Sequence, residues 1–348
     1  MTKEAFSPAG KSAAEISKGA IEILVLSEAD VVACINLSQL LDALEDGFKA
    51  LSQRKVVNPP RPQLDIPGAG YSLAMPAWME GMNLTVKIVN VFEGNLAKNL
   101  PSHLATISLF DPQSGLPVCI MDGTFITAVR TSGSAVLSVR ALARRDARIA
   151  TVVGAGVQAN QHLHLLPLVR DFAEIRVTSK SFDDAAALAR LHPSVVAVAD
   201  LEAAVRSSDV VCLATHSYQP VIDAGWVQPG THVSSVGVAP PGGEMPIELI
   251  GRSSLYVETQ GCVQTDPGRF LRACRFRPGF RHRAWRHAAR PRAGSRFGST
   301  DHHLQGNGHC HGRYGRRRPR LPLRPACTQG KARRAVGACR EPGWDRRC

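Results

Sequence analysis

The sequence predicts an α/β protein, a doubly wound parallel sheet joined to a smaller α+β unit, on three observations. An apolar run, Ile149 to Val153, breaks into Gly154-Ala155-Gly156 and then a helical stretch from Val157, which reads as strand, tight turn and helix. Beyond it, short apolar runs alternate with helical stretches as far as Val257. Before it, between Tyr71 and Met121, strand-like runs follow one another with turn residues between them.

Residues 1–20 are small and polar with no apolar core of a leader, so a flexible N-terminus and a cytoplasmic protein are expected. No apolar run reaches the length of a bilayer span. Ile21 to Leu26 reads as a strand; Leu37 to Leu51 has apolar residues at helical spacing behind a candidate cap, Asn36. Asn58-Pro59-Pro60-Arg61-Pro62 cannot be helical and must connect. Tyr71 to Met75, Leu84 to Val91 and Ala105 to Asp111 read as strands, and Asp111 to Gly115 as a hairpin turn before Val118 to Met121. A small antiparallel sheet follows from these. Asp122 to Leu142 is a helix of small and apolar residues leading into the second unit. There the strands are Ile149 to Val153, Glu174 to Thr178, Val195 to Val198, Val210 to Ala214, His232 to Val236 and Leu255 to Val257.

The net charge of +13 suggests a nucleic-acid binder until it is divided along the chain. Residues 261–348 hold 21 arginines, one lysine and four acidic residues, net +18, which leaves −5 for residues 1–260. Six of the nine cysteines also lie in that last stretch. Cys34, Cys119 and Cys212 stand in apolar surroundings and read as buried free thiols. His302, His303, His309, Cys310 and His311 are dense but lack the usual zinc spacings, so no metal site is expected. The expected division is a flexible 1–20, a substrate and dimerisation domain at 21–130, a nucleotide domain at 131–260, and an Arg-rich, disordered tail at 261–348.

In a dinucleotide-binding turn the first glycine, Gly154, makes the bend and the second, Gly156, admits the pyrophosphate; Ala159 lets helix pack on strand. The anion then meets the helix N-terminus, so Ala155, Val157 and Gln158 join the cofactor set, as does Thr131. At the end of the next strand, Thr178-Ser179-Lys180-Ser181 has no acid for a ribose 2′-hydroxyl, which favours NADP over NAD through Ser179 and Lys180. Asp183 and Asp184 come late and read as first-turn helix acids.

Lys87 interrupts an apolar strand. On an outer face it would simply be solvated; in a cleft it could hold a carboxylate, or titrate once desolvated. Arg130 lies on a helix among small residues, either in a surface ion pair or beside a ligand. Arg61, held between prolines, is a candidate carboxylate clamp.

PRP, AMPAW, VKIVNVFEGN, DPQSGLPVCIMDGTFITAVRTSGSA, VVGAGVQANQH and VSSVGV together resemble the ornithine cyclodeaminase and mu-crystallin family over about residues 22–260. The resemblance implies a Rossmann domain with NAD or NADP, and a homodimer whose substrate domain is completed by the last helices. It makes Arg61, Lys87 and Arg130 binders of a substrate α-carboxylate, with Lys87 also the catalytic proton donor or acceptor. Two departures matter: the glutamate and aspartate that handle ornithine's amines in true cyclodeaminases fall at Leu73 and Ala239. A diamine taken into a cleft without anionic partners costs several kcal/mol, on the order of the desolvation of an unpaired ammonium. Glu244 could substitute, though its Pro-Pro-Gly-Gly setting reads as a turn with a solvated acid.

An NAD(P)-dependent oxidoreductase acting at the Cα of a small imino or amino acid is therefore expected. Ornithine cyclodeamination, an ammonia-lyase reaction, is the alternative, and a non-catalytic NADP-binding protein a further one. Nucleic-acid binding by the tail would be incidental, because the tail reads as a frameshifted translation. Read one base later, DHHLQGNGHCHGRYG from Asp301 permits ITIYKAMGIAMEDM, which resembles the family's C-terminal motif.

Overall fold

A computed structural model describes residues 21–237, 243–258 and, as backbone, 303–306. The first unit comprises β1 (Leu24–Leu26), α1 (Glu28–Cys34), α2 (Leu37–Ser52), β2 (Val56–Val57), β3 (Gln63–Ile66), β4 (Gly70–Met79), β5 (Leu84–Val91), β6 (His103–Phe110) and β7 (Pro117–Asp122). Strand order is β1-β7-β6-β5-β4-β2, with β3 also on β4. Every pairing is antiparallel except β1 on β7, which is parallel and so departs from the expected all-antiparallel sheet. The Asp111 turn forms as expected: the Asp111 carboxylate accepts from the Gln113 and Ser114 backbones, and Gly115 takes φ +76°. Asn36 caps α2 by accepting from the Gln39 amide at 3.0 Å. α1 is an element that the apolar spacing did not suggest. It is set by a capping box in which Ser27 accepts from Asp30 N and Asp30 accepts from Ser27 N.

α3 (Thr124–Leu142) is continuous across the expected 130/131 boundary, because its two ends serve different units. Its first turns stand over β6, and its centre, Val129 to Val139, is buried in the core of the second. That unit runs β8 (Ile149–Val153), α4 (Val157–Leu165), β9 (Glu174–Thr178), α5 (Phe182–Ala189), β10 (Val195–Ala197), α6 (Leu201–Arg206), β11 (Val210–Leu213), β12 (His232–Ser235), α7 (Ile247–Gly251), β13 (Ser254–Val257) and β14 (His303–Gly306). The sheet is parallel throughout in the order β10-β9-β8-β11-β12-β14-β13. Its first five strands have the doubly wound order of a Rossmann fold, with the switch point between β8 and β11. Alternate strand residues feed two cores: Val152, Val177 and Cys212 face one way, and Val153, Val211 and Val233 the other.

Cys119 and Cys212 are buried free thiols as expected, whereas Cys34 is exposed at the end of α1 and disulfide-bonded. The tail expected to be disordered contributes β14; its other residues, including His309, Cys310 and His311, lie outside the described ones, as do Ala239 and residues 1–20. No helix among the described residues is long and apolar enough to cross a membrane.

Candidate active site

The glycine turn is built as its spacing required. Gly154 is buried with φ +125°, and a Cβ there would lie 2.4 Å from the Ala214 carbonyl oxygen. β8 and β11 therefore approach at the switch point only because that position has no side chain. Gly156 caps α4 without a side-chain hydrogen bond and is exposed, as is Val157; Ala159 is fully buried against the sheet. The α4 amides thus stay open to an anion while the helix packs tightly behind them. This fits a dinucleotide pyrophosphate. Gln158 turns its side chain inward, accepting from Ser132 Oγ at 2.7 Å, and Thr131 Oγ1 donates to the Thr127 carbonyl at 2.8 Å. Ser179 and the exposed Lys180 follow β9, while Ser181 caps α5 with Asp183 and Asp184 in its first turn.

In the sheet unit, β5 alternates from Lys87 onward. Lys87, Val89 and Val91 point inward and Ile88 outward, because α1 and α3 cover only one face of the sheet. Lys87 is 8% exposed, and its Nζ donates to Thr127 Oγ1 at 3.1 Å. Burial first, then the Arg130 and Arg61 guanidiniums, lower its pKa to about 7. Lys87 is therefore no solvated outer-face lysine, and the structure brings it together with both arginines. β4 supplies an apolar wall, with Met75 opposite Lys87 and Leu73 opposite Val89.

Sequence reasoning missed two members. Thr127 lies one turn before Arg130 on the same helical stripe as Thr131 and Ser134, a spacing of three and four that would have found it. Glu258 directly follows β13, at a strand C-terminus where ligands of such sheets bind, so its position was the signal. Burial raises the Glu258 carboxyl pKa, opposed by Arg130, Ser134 and Arg61, and its buried Oε1 accepts no hydrogen bond among the described residues.

Glu244 is not a solvated turn acid. It is fully buried, and its carboxylate accepts from Thr215 N (2.6 Å), Thr215 Oγ1 (2.7 Å), Ser235 Oγ (2.7 Å), Val236 N (3.1 Å) and Gly237 N (2.6 Å). With five protein donors already on it, it is not offered to a substrate amine. At the cleft rim, His216 Nε2 of the nucleotide unit approaches Glu93 Oε1 of the sheet unit at 3.5 Å.

The sequence profile described as ornithine cyclodeaminase/mu-crystallin family matches residues 21–267. An alanine dehydrogenase of Archaeoglobus fulgidus is 30% identical over 245 residues, 68% of this chain and 74% of that protein. The structure of Thermococcus litoralis Delta(1)-pyrroline-2-carboxylate reductase in complex with NADH and L-proline superposes with a TM-score of 0.74 at 29% identity, covering 82% of this chain and 92% of that one. An archaeal alanine dehydrogenase dimer with bound NAD superposes with a TM-score of 0.72 at 25% identity, covering 82% and 91%.

Proposed function

Because the chain belongs to the ornithine cyclodeaminase/mu-crystallin family, we infer that it is an NAD(P)-dependent oxidoreductase moving a hydride to or from the Cα of a small imino or amino acid. The observation that carries this is Lys87: a buried lysine with its pKa near 7, two guanidiniums beside it, bonded to Thr127 of the helix whose Ser132 also bonds Gln158 at the open N-terminus of α4.

A bound nicotinamide would supply the hydride for reduction and accept it in oxidation. Arg61 and Arg130 hold the substrate carboxylate and so fix the α-carbon. Lys87, which Thr127 orients, passes a proton to the imine nitrogen during reduction and takes one back from the amine during oxidation. A pKa near the working pH suits one group to both directions. Leu73 and Met75 give the substrate side chain an apolar wall, which suits an uncharged side chain and disfavours the second ammonium of ornithine.

Two finer readings go with this. NADP is favoured over NAD, since Lys180 is exposed just after β9 and no acid stands between Thr178 and Ser181. A second copy of the chain is the proposed cover for the outer sheet face, where Val25, Ile88, Leu104 and Ile120 are 37–49% exposed on neighbouring strands.

A screen of linear and cyclic α-imino acids, read by NADPH and NADH consumption, tests the reading. Consumption with at least one is expected. Conversion of L-ornithine to proline and ammonia without net cofactor change would instead establish cyclodeamination, and cofactor binding without any turnover would leave a binding protein.

A further inference from the structure

Glu244 serves no step of the chemistry above, yet it is the most heavily hydrogen-bonded side chain at the strand ends of the nucleotide unit. Its five donors come from two places far apart in sequence, Thr215 just beyond β11 and Ser235 to Gly237 at the end of β12. Its own backbone adds a third tie, the carbonyl accepting from Val221 N at 2.9 Å, while neighbouring Gly243 N donates to Tyr218 O. One carboxylate thus joins the ends of two adjacent strands to the loop that leaves the first. The fit leaves no slack: a Cβ at Gly237 would stand 2.7 Å from the Glu244 carboxyl carbon and 2.2 Å from the Thr215 carbonyl oxygen.

The place of this clamp matters. In a doubly wound sheet the dinucleotide straddles the switch point, with one mononucleotide on each half. The glycine turn and the β9 end with Lys180 lie on the β8-β9 half. The other half, β11 and β12, ends at Thr215 and Gly237, so the nicotinamide half falls on the strand ends that Glu244 binds together. Three backbone amides there, of Thr215, Val236 and Gly237, are saturated by the carboxylate, which fixes the spacing of the backbone a neutral ring and its carboxamide must rest on.

We propose that Glu244 is a positioning residue for the nicotinamide half of the cofactor, holding the Thr215 and Val236–Gly237 backbones at the separation that half requires while leaving the adenosine half untouched. This rests on the reading of the cleft as a dinucleotide site.

Equilibrium binding to the full chain tests it, comparing NADPH and NADH with the corresponding ADP-ribose fragments, which lack the nicotinamide. In Glu244→Gln one carboxylate oxygen becomes an amide donor facing the amide and hydroxyl donors it used to accept from. It should weaken NADPH or NADH by roughly tenfold or more and leave the fragments within about twofold. Thr215→Val and Ser235→Ala, which each remove one hydroxyl donor and keep the charge, should show the same asymmetry at roughly two- to fivefold. These milder variants decide the matter if Glu244→Gln does not fold. An equal loss for dinucleotide and fragment, or none for either, overturns the proposal. A parent chain that binds neither dinucleotide nor fragment removes the dinucleotide reading, and the proposal with it.

Discussion

The surroundings of Glu244 and of Lys87 treat a buried charged group in opposite ways. At the C-terminal strand ends of the nucleotide unit Glu244 has five donors, and at the opposite ends of the same strands Asp209 accepts from two backbone amides as well as Arg144 while the buried His232 Nε2 meets Ser138 Oγ at 2.9 Å. On the sheet wall Lys87, bonded to Thr127, has two guanidiniums beside it and an apolar surface opposite; Glu258, after β13 of the nucleotide unit, keeps a buried oxygen without a donor among the described residues. Saturated groups hold a scaffold in one shape, whereas a buried lysine whose pKa is lowered by burial and neighbouring guanidiniums costs stability and marks a candidate place for an anion. On the proposed function, the nucleotide wall is the frame and the sheet wall the reactive surface.

Lys87→Met would sharpen this contrast most. Turnover should fall by about three orders of magnitude, the middle of the range for losing a proton-transfer group, while dinucleotide affinity in a titration stays unchanged. The same variant tests the stability cost. Lys87 has a folded-state pKa below its unfolded one, so the unfolded chain binds more protons between about pH 7 and pH 10.5, and parent stability should rise with pH across that window. Denaturant melts of the variant should lack that rise; an identical slope in both would place Lys87 in solvent.

Arg130→Met comes next, with KM for the carboxylate substrate expected to rise roughly a hundredfold, the scale of a charge-assisted pair. Removing that positive neighbour also raises the Lys87 pKa, so the pH limb of kcat/KM near 7 should move to higher pH. A limb that stays in place would separate Arg130 from Lys87.

Ile88→Glu probes the opposite face of the same strand. A charge amid the exposed apolar row should shift the chain from dimer to monomer in light scattering, and an unchanged mass would put the interface elsewhere. Smallest is Lys180→Asp, expected to move cofactor preference several-fold toward NADH by removing a cation near the 2′-phosphate, an effect on the order of 1 kcal/mol. Unaltered preference would detach Lys180 from the ribose.

What the sequence revealed divides along the same line of local against distant causes. The Gly154 turn, the proline-bounded Arg61 and the Asp111 hairpin follow from backbone chemistry within a few residues, and each forms where expected. The Ser27 capping box of α1 is equally local, a Ser-x-x-Asp spacing rather than an apolar one. By contrast, the parallel addition of β1 to β7 and the burial of Glu244 depend on segments tens of residues apart. A Pro-Pro-Gly-Gly neighbourhood suggests solvent; only the packing of β11 against β12 places the acid inside. Lys87 was ambiguous for a related reason, since a strand's alternation tells which residues share a face but not which face is covered.

On the proposed function, the cations around Lys87 serve the α-carboxylate of an imine about to receive a hydride. The most direct test is NADPH and NADH oxidation with a cyclic imine bearing an α-carboxylate, set beside the same ring without it. Turnover that requires the carboxylate, and that Arg130→Met strips of this preference, is the predicted result. Equal turnover of the two imines by the parent chain would contradict it.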